Sequence, residues 1–462
     1  HQLVGSTPQV RQAAQYIEDR FQVTKNLLVT FGLRNEQFKN TNQDDKPIIE
    51  KKRQLAPRFS AAWDVQGDAS LKVFGTAGRY HLQIPANLAV RFAGGSLNTE
   101  RYYTYTGVDP ATGAPLGIVP IGNVYSPNNE YGVPPDPRTI AATDIKSNTQ
   151  DEFTLGFEKA LNREWNVGFR VNYRKLVSSI DDVSDPRPIA AKLAKTSQAE
   201  ADYLSNNWHG ALFNPGRSNT FLVPVDAQGT LRKVTVNWDE WGFQEGLKRQ
   251  YMALDFMVEH PFRNGWYGKI NYTWAKSTGN TEGQQKSDNG QADVGFTSVW
   301  DFPELMVNSN GPLPNTRRHT IKAYGVYELT PEYAISGNFL AQSGRPRSCT
   351  ANLPTALDPA GIGGGYGSIF FVCPGAAGRG ALGNLPWDTR LDLGFIYRPQ
   401  WMPGITAKLD VYNILNKQTV TSINEELNVR GAGSSVNGLS QQEQNYTAPR
   451  AMTFSVQYNK KF

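Results

Sequence analysis

Residue types able to do chemistry are few in this chain, and they are scattered. The five histidines are His1, His81, His209, His260 and His319. None forms H-x-x-x-H or stands near a cysteine at ligand spacing, so neither a metal centre nor any other cofactor is expected. Gly361–Gly367 (GIGGGYG) has no following Lys-Ser/Thr and does not link a strand to a helix. It reads as a flexible loop tip rather than a phosphate cradle. No G-x-S-x-G elbow occurs, and the chain is not expected to be an enzyme. Asp181, Asp182 and Asp185 offer hard oxygens of the kind that hold Ca²⁺, although a solvated strand end is the commoner use of such a cluster. Cys349 and Cys373 are the two cysteines, and both lie in one Gly/Pro-rich stretch. They read as a disulfide of an oxidising compartment, with reduced structural thiols as the alternative.

The elements that carry these residues are strands. Between Trp165 and Arg174, Trp165, Val167, Phe169, Val171 and Tyr173 alternate with Asn166, Gly168, Arg170, Asn172 and Arg174. The same period of two runs through Gln250–Glu259, Trp266–Trp274, Trp387–Arg398, Leu27–Glu36 and Ile405–Asp410. It also closes the chain, where Met452, Phe454, Val456 and Tyr458 alternate with polar residues up to a terminal Phe462. This is the strand period. About thirteen strands are expected, near 9–20, 26–38, 56–64, 69–80, 146–159, 164–182, 247–261, 266–278, 317–329, 333–345, 386–398, 404–418 and 449–462.

Connections alternate in length. Short ones fall near 23–25, 66–68, 161–164, 262–265, 330–332 and 400–404. Long ones cover 39–55, 81–145, 184–245, 279–314, 346–385 and 425–447. Long structureless loops are uncommon in compact soluble domains. Bacterial barrels have short periplasmic turns and long extracellular loops. No apolar run of about 18 residues is present to make a spanning helix, but barrel strands need none. Aromatic content of 11%, with 20 Tyr and 10 Trp, suits interfacial girdles. The fold expected is an all-β antiparallel transmembrane barrel in a bacterial outer membrane, with lipid as its surroundings. Within the loop 184–245, Pro188–Asn206 has the composition of a short helix.

An odd strand count ending toward the periplasm must begin outside the cell, in mid-barrel. Closed single-chain bacterial barrels have even counts. Residues 1–462 are therefore expected to be the C-terminal portion of a larger barrel. With His at position 1 and no signal peptide, the chain reads as a fragment or processed product. The net charge of +5 is spread out, and no basic tract suggests nucleic acid as a partner.

Arg170, Arg174, Lys269, Lys322, Arg390, Asp392, Lys408 and Asp410 fall on the polar faces of their strands. In lipid each would be costly, whereas facing a lumen they can pair with one another or with water. They read as stiffening salt bridges or as a contact surface for a plug domain or solute.

The chain resembles the C-terminal barrel region of TonB-dependent outer-membrane receptors, specifically the Oar-like group. The segments concerned are Tyr16–Glu36, Leu55–Tyr80, Tyr272–Gly283, Gly311–Leu329, Leu409–Asn416 (LDVYNILN) and the terminal strand. Phe454, Val456, Tyr458 and Phe462 resemble the C-terminal signal read by the barrel assembly machinery; Lys460 departs from that pattern. The resemblance implies a 22-stranded barrel, an N-terminal plug domain and energy drawn from the TonB complex. Plug and TonB box would lie upstream of His1. The function implied is an outer-membrane receptor or transporter that takes up or binds a ligand through its extracellular loops. The competing readings are an adhesive or structural barrel without transport, and a secreted all-β carbohydrate-binding protein.

Overall fold

The computed structural model describes residues 2–3, 7–84, 92–126, 130–283, 286–288, 299–427 and 441–459. Thirteen long strands follow one another as an antiparallel meander. They are β1 (Val10–Thr24), β2 (Leu27–Thr41), β3 (Leu55–Asp64), β4 (Leu71–Leu82), β5 (Asn148–Ala160), β6 (Asn166–Ser178) and β7 (Arg249–Arg263). Then come β8 (Trp266–Gly279), β9 (His319–Glu328), β10 (Tyr333–Gln342), β11 (Asp388–Tyr397), β12 (Ile405–Tyr412) and β13 (Ala451–Tyr458). Each pairs with its neighbours in sequence order, and two short segments, Pro47–Lys51 and Gly311–Pro312, pair at the margins of β2 and β8. The sheet is open: β1 and β13 are its edges and do not pair with each other among the described residues.

Register decides which side chains share a face, because residues directly opposite in a ladder project the same way. One row runs Leu27, Trp63, Val73, Phe157, Phe169, Phe256, Tyr272, Ile321, Ala341 across nine strands. The neighbouring row on the other face runs Gly156, Arg170, Asp255, Thr273, Thr320, Gln342, Asp388. One face is thus a continuous apolar band and the other is polar. That is the division a bilayer imposes on a barrel wall.

Short turns join the strands at one end. The tightest is Asn264–Gly265, both at positive φ (51° and 81°), between the paired Arg263 and Trp266. Asn-Gly supplies the left-handed conformations that a two-residue hairpin requires. Aromatic rings crowd this rim. Trp165 and Trp266 flank His260, with ring centroids 5.1 and 3.6 Å from it, and Tyr333 stacks on Tyr397 at 5.0 Å. Amphipathic rings at this level form the belt expected at a membrane–water interface.

The other end carries a folded cap. Segments from the long connections bury Ile84, Ile140, Ile180, Val183, Phe213, Phe221, Val236, Trp241 and Trp300 in one cluster. Hairpins Asp181–Val183 with Ala211–Phe213, and Asn219–Pro224 with Leu231–Val236, supply much of it. Thus the described parts of these connections are structured rather than irregular, because their apolar residues find one another across the loops. Helix 188–206 is in fact two helices, α1 (Arg187–Leu193) and α2 (Gln198–Asn207). The break follows from Ser197, whose hydroxyl accepts the Glu200 amide and caps a new helix.

Candidate functional site

All eight polar candidates lie on the face opposite Phe169, and ion pairs link most of them. Arg170 reaches Asp255 (3.1 Å), Arg174 reaches Glu152 (3.4 Å) and Lys269 reaches Glu259 (3.2 Å). Arg390 pairs with Asp388 (3.0 Å) and Lys408 with Asp410 (2.9 Å). Asp392 accepts hydrogen bonds from the Asn338 side chain and the Asn413 amide. Lys322 has no ion pair among the described residues and stands beside Asn271 and Leu340 in the ladders. The acids Glu152, Asp255 and Glu259 complete this network, and they lie on the same polar faces. The basic partners are a quarter to a half exposed, so each pair is worth about 0–1 kcal/mol.

The C-terminal residues divide. Phe454, Val456 and Tyr458 are on the apolar face of β13, opposite Leu409, Ala407 and Ile405. Phe462 and Lys460 lie outside the described residues.

Cys349 and Cys373 are joined in a disulfide, with Cα atoms 5.8 Å apart. They anchor a second buried cluster with Leu305, Ala351, Phe370 and Val372. The intervening glycine run forms a 3₁₀ turn at Ile362–Gly365, held by the Asp358 carboxylate on the amides of Ile362 and Gly363. Beside the disulfide sits a buried charged group. Arg379 donates to Asp288 at 2.8 Å, and the two side chains are 2% and 0% exposed. Ser348 donates to the other Asp288 oxygen. Lys286 donates to the Ile369 carbonyl and lies over Phe371. Burial pushes the Lys286 ammonium down to about 8 and the Glu425 carboxyl up to about 7, although Arg345 lies 2.6 Å from Glu425.

The acidic cluster corrects the expectation of a solvated strand end. Asp181, Asp182 and Asp185 are 3%, 8% and 1% exposed, because the cap folds over them. Asp185 is bound by Arg187, which also holds Glu304 at 2.7 Å. No group of three potential metal ligands is assembled among the described residues.

Asp182 instead joins Asp301 at the wall of a cap cavity of about 690 Å³. Phe92, Tyr131 and Trp208 line it with Pro134, Ser184 and Asn207. Tyr366 donates its hydroxyl to Asp301 at 2.7 Å. Burial raises the Asp301 carboxyl to about 6, and it raises Asp182 further, reinforced by the charges of Asp301 and Asp181. Sequence reading missed this cavity, since Tyr131, Trp208 and Asp301 come from distant loops with no shared motif.

An antiparallel wall with one apolar and one polar face, an aromatic rim and loops massed at one end defines an integral β-barrel of the bacterial outer membrane. The chain belongs to the family described as outer membrane beta barrel domain, whose model matches residues 37–365. It is 24% identical over 445 residues to the TonB-dependent transporter Oar of Myxococcus xanthus, covering 90% of this chain and 36% of that protein. The chain therefore spans about a third of that relative's length. The fold is similar to the outer membrane transporter YddB from Escherichia coli (TM-score 0.53, 12% identity, 97% of this chain and 45% of that one). It is similarly close to the FrpB iron transporter from Neisseria meningitidis (TM-score 0.52, 11% identity, 98% and 46%). The resemblance to TonB-dependent receptors seen in the sequence is thus borne out by the relation to Oar, and the solved structures share the fold.

Proposed function

We propose that residues 1–462 supply the C-terminal wall and extracellular cap of a TonB-dependent outer-membrane receptor that captures a ligand in its cap and passes it through the lumen. The observation that carries this is the cap itself. Loops that only closed a barrel would not need a common core of buried Trp and Phe or a cavity among them. The relation to a TonB-dependent transporter supports TonB as the energy source, and the unpaired edges β1 and β13 fit a wall with further strands. On this reading a plug domain precedes the chain and rests against the polar face carrying Arg170, Lys322 and Asp392. The barrel assembly machinery reads the last strand. The role is that of a receptor rather than an enzyme.

The test uses the full-length protein in its own membrane. Ligand-dependent uptake should stop when TonB is deleted and resume when TonB is restored, with the amount of folded receptor unchanged. Uptake indifferent to TonB would refute the energised reading, and surface binding without uptake would favour an adhesive barrel.

A further inference from the structure

The cap cavity has an electrostatic character that narrows its ligand. Among the described residues its walls carry three carboxylates, Glu130, Asp182 and Asp301, and neither lysine nor arginine. Asp182 and Asp301 are each 8% exposed, and one oxygen of each (Oδ1) has no hydrogen-bond partner. The Trp208 indole N–H is also buried without an acceptor. Unmet polar atoms in a native interior call for an explanation, and a missing ligand is one. Arg187, on the adjoining segment, does not neutralise the pair, because its guanidinium is committed to Asp185 and Glu304.

We propose that this cavity binds an organic cation, an ammonium or guanidinium group carried on an apolar body, with Asp182 and Asp301 receiving the charge. This rests on the reading of the cap as the ligand-capturing part of a receptor, and it names the ligand class. The apolar body meets Phe92, Tyr131 and Trp208, whose ring faces also attract a cation. An anionic ligand would meet only like charge. A neutral sugar could stack on the rings and donate hydroxyls to the carboxylates, but it would bring no positive charge to offset theirs.

Burial in the empty cavity raises both carboxyls and so favours the protonated forms of Asp182 and Asp301. The charges of Asp301 and Asp181 raise Asp182 as well, whereas hydrogen bonds with Tyr366 and Asp182 hold Asp301 back. The other titratable groups around them are Asp181, Asp185 held by Arg187, Glu130, Tyr366 and His209, whose imidazole is pushed toward its neutral form by burial. An entering ammonium ion therefore takes the place of a proton. It forms a charged hydrogen bond to a carboxylate, and the displaced proton leaves to solvent.

The experiment is calorimetry on the full-length receptor in detergent, with 2-phenylethylamine and its neutral analogue 2-phenylethanol as probes. The amine should bind at least tenfold more tightly than the alcohol. Titrations in two buffers of different ionisation enthalpy should show proton release. Asp301→Asn should weaken the amine at least tenfold and leave the alcohol unchanged. Equal binding of both probes, no binding of the amine, or displacement of the amine by methyl glucoside would each overturn the proposal. The comparison of the two probes on the unaltered protein stands even if the variant misfolds. Uptake that remains TonB-dependent while the amine fails to bind would sink this inference and leave the receptor reading intact.

Discussion

Phe169 and Phe256 face each other across adjacent strands, with ring centroids 4.8 Å apart, in the middle of the apolar band. Phe157 extends the contact on one side at 6.2 Å and Tyr272 on the other at 6.1 Å. A run of rings at this level, directly behind the Arg170–Asp255 pair, fixes which side of the wall meets lipid.

Phe169→Arg should therefore destabilise the inserted barrel by about 2–4 kcal/mol, the cost of a cation near the bilayer midplane. Urea unfolding of the full-length protein in lipid vesicles measures it. Asn172→Arg, on the polar face, is the control and should cost far less. Equal costs would mean that the faces have been assigned the wrong way round.

The Arg379–Asp288 pair tests the cap. Arg379→Ala leaves Asp288 buried with Lys286 and Ser348 against it. A loss of about 3 kcal/mol in cap stability is expected, the lower end for a broken buried pair because Lys286 remains. Replacing both partners, Arg379→Met with Asp288→Leu, should recover most of it. Amide exchange in segment 346–385 is the readout. Unchanged protection in the single variant would show that the pair contributes nothing.

Reduction of Cys349–Cys373, or Cys349→Ser, should cost the same segment about 3–4 kcal/mol, the entropy of a closed loop of this length in the chain-entropy model. The barrel strands should be unaffected. Proteolysis of intact cells with and without a reductant checks both points, with new cleavage expected in the cap alone.

Acid should strengthen the cap over a defined range. Asp301 is raised from 3.8 to about 6 by burial, so between those values the folded cap holds a proton that the unfolded chain has lost. Stability then falls as pH rises through that window. Glu425 acts in the same direction between 4.5 and about 7. Lys286 contributes only above about 8, where stability rises with pH as its unfolded form keeps a proton. Cap melting should occur at a higher temperature at pH 5 than at pH 7.5, and Asp301→Asn should flatten part of that difference. A cap less stable at pH 5 than at pH 7.5 would contradict the buried acid pair.

The strands were legible because lipid and lumen impose a period of two over eight or more residues. Phe169 and Arg170 announce their faces without any partner in view. All thirteen strands appear in the expected order, with ends moved by up to six residues, as where the strand expected over 404–418 stops at Tyr412; the expected end at Phe462 lies outside the described residues. The cap was not legible for the opposite reason. Its strands are as short as Ala211–Phe213 and Asp181–Val183, too short to show a period. Its contacts also join remote segments, as where Leu212 bonds to Ile140. Asp181, Asp182 and Asp185 therefore looked like a solvated cluster until other loops covered them. One local signal was present and passed over: Ser197–Glu200 reads S-x-x-E, the start of a second helix.

The central claim is that the cap stands outside the cell on a membrane barrel whose short turns face the periplasm. Reporter cysteines in the full-length protein test it directly. One is placed at Gln228, on the tip of the cap hairpin, and one at Gln400, in the turn between β11 and β12. A membrane-impermeant maleimide applied to intact cells should label the Gln228 reporter at once. It should reach the Gln400 reporter only after the outer membrane is permeabilised. Labelling of Gln400 and protection of Gln228 in intact cells would contradict the orientation and the receptor built on it.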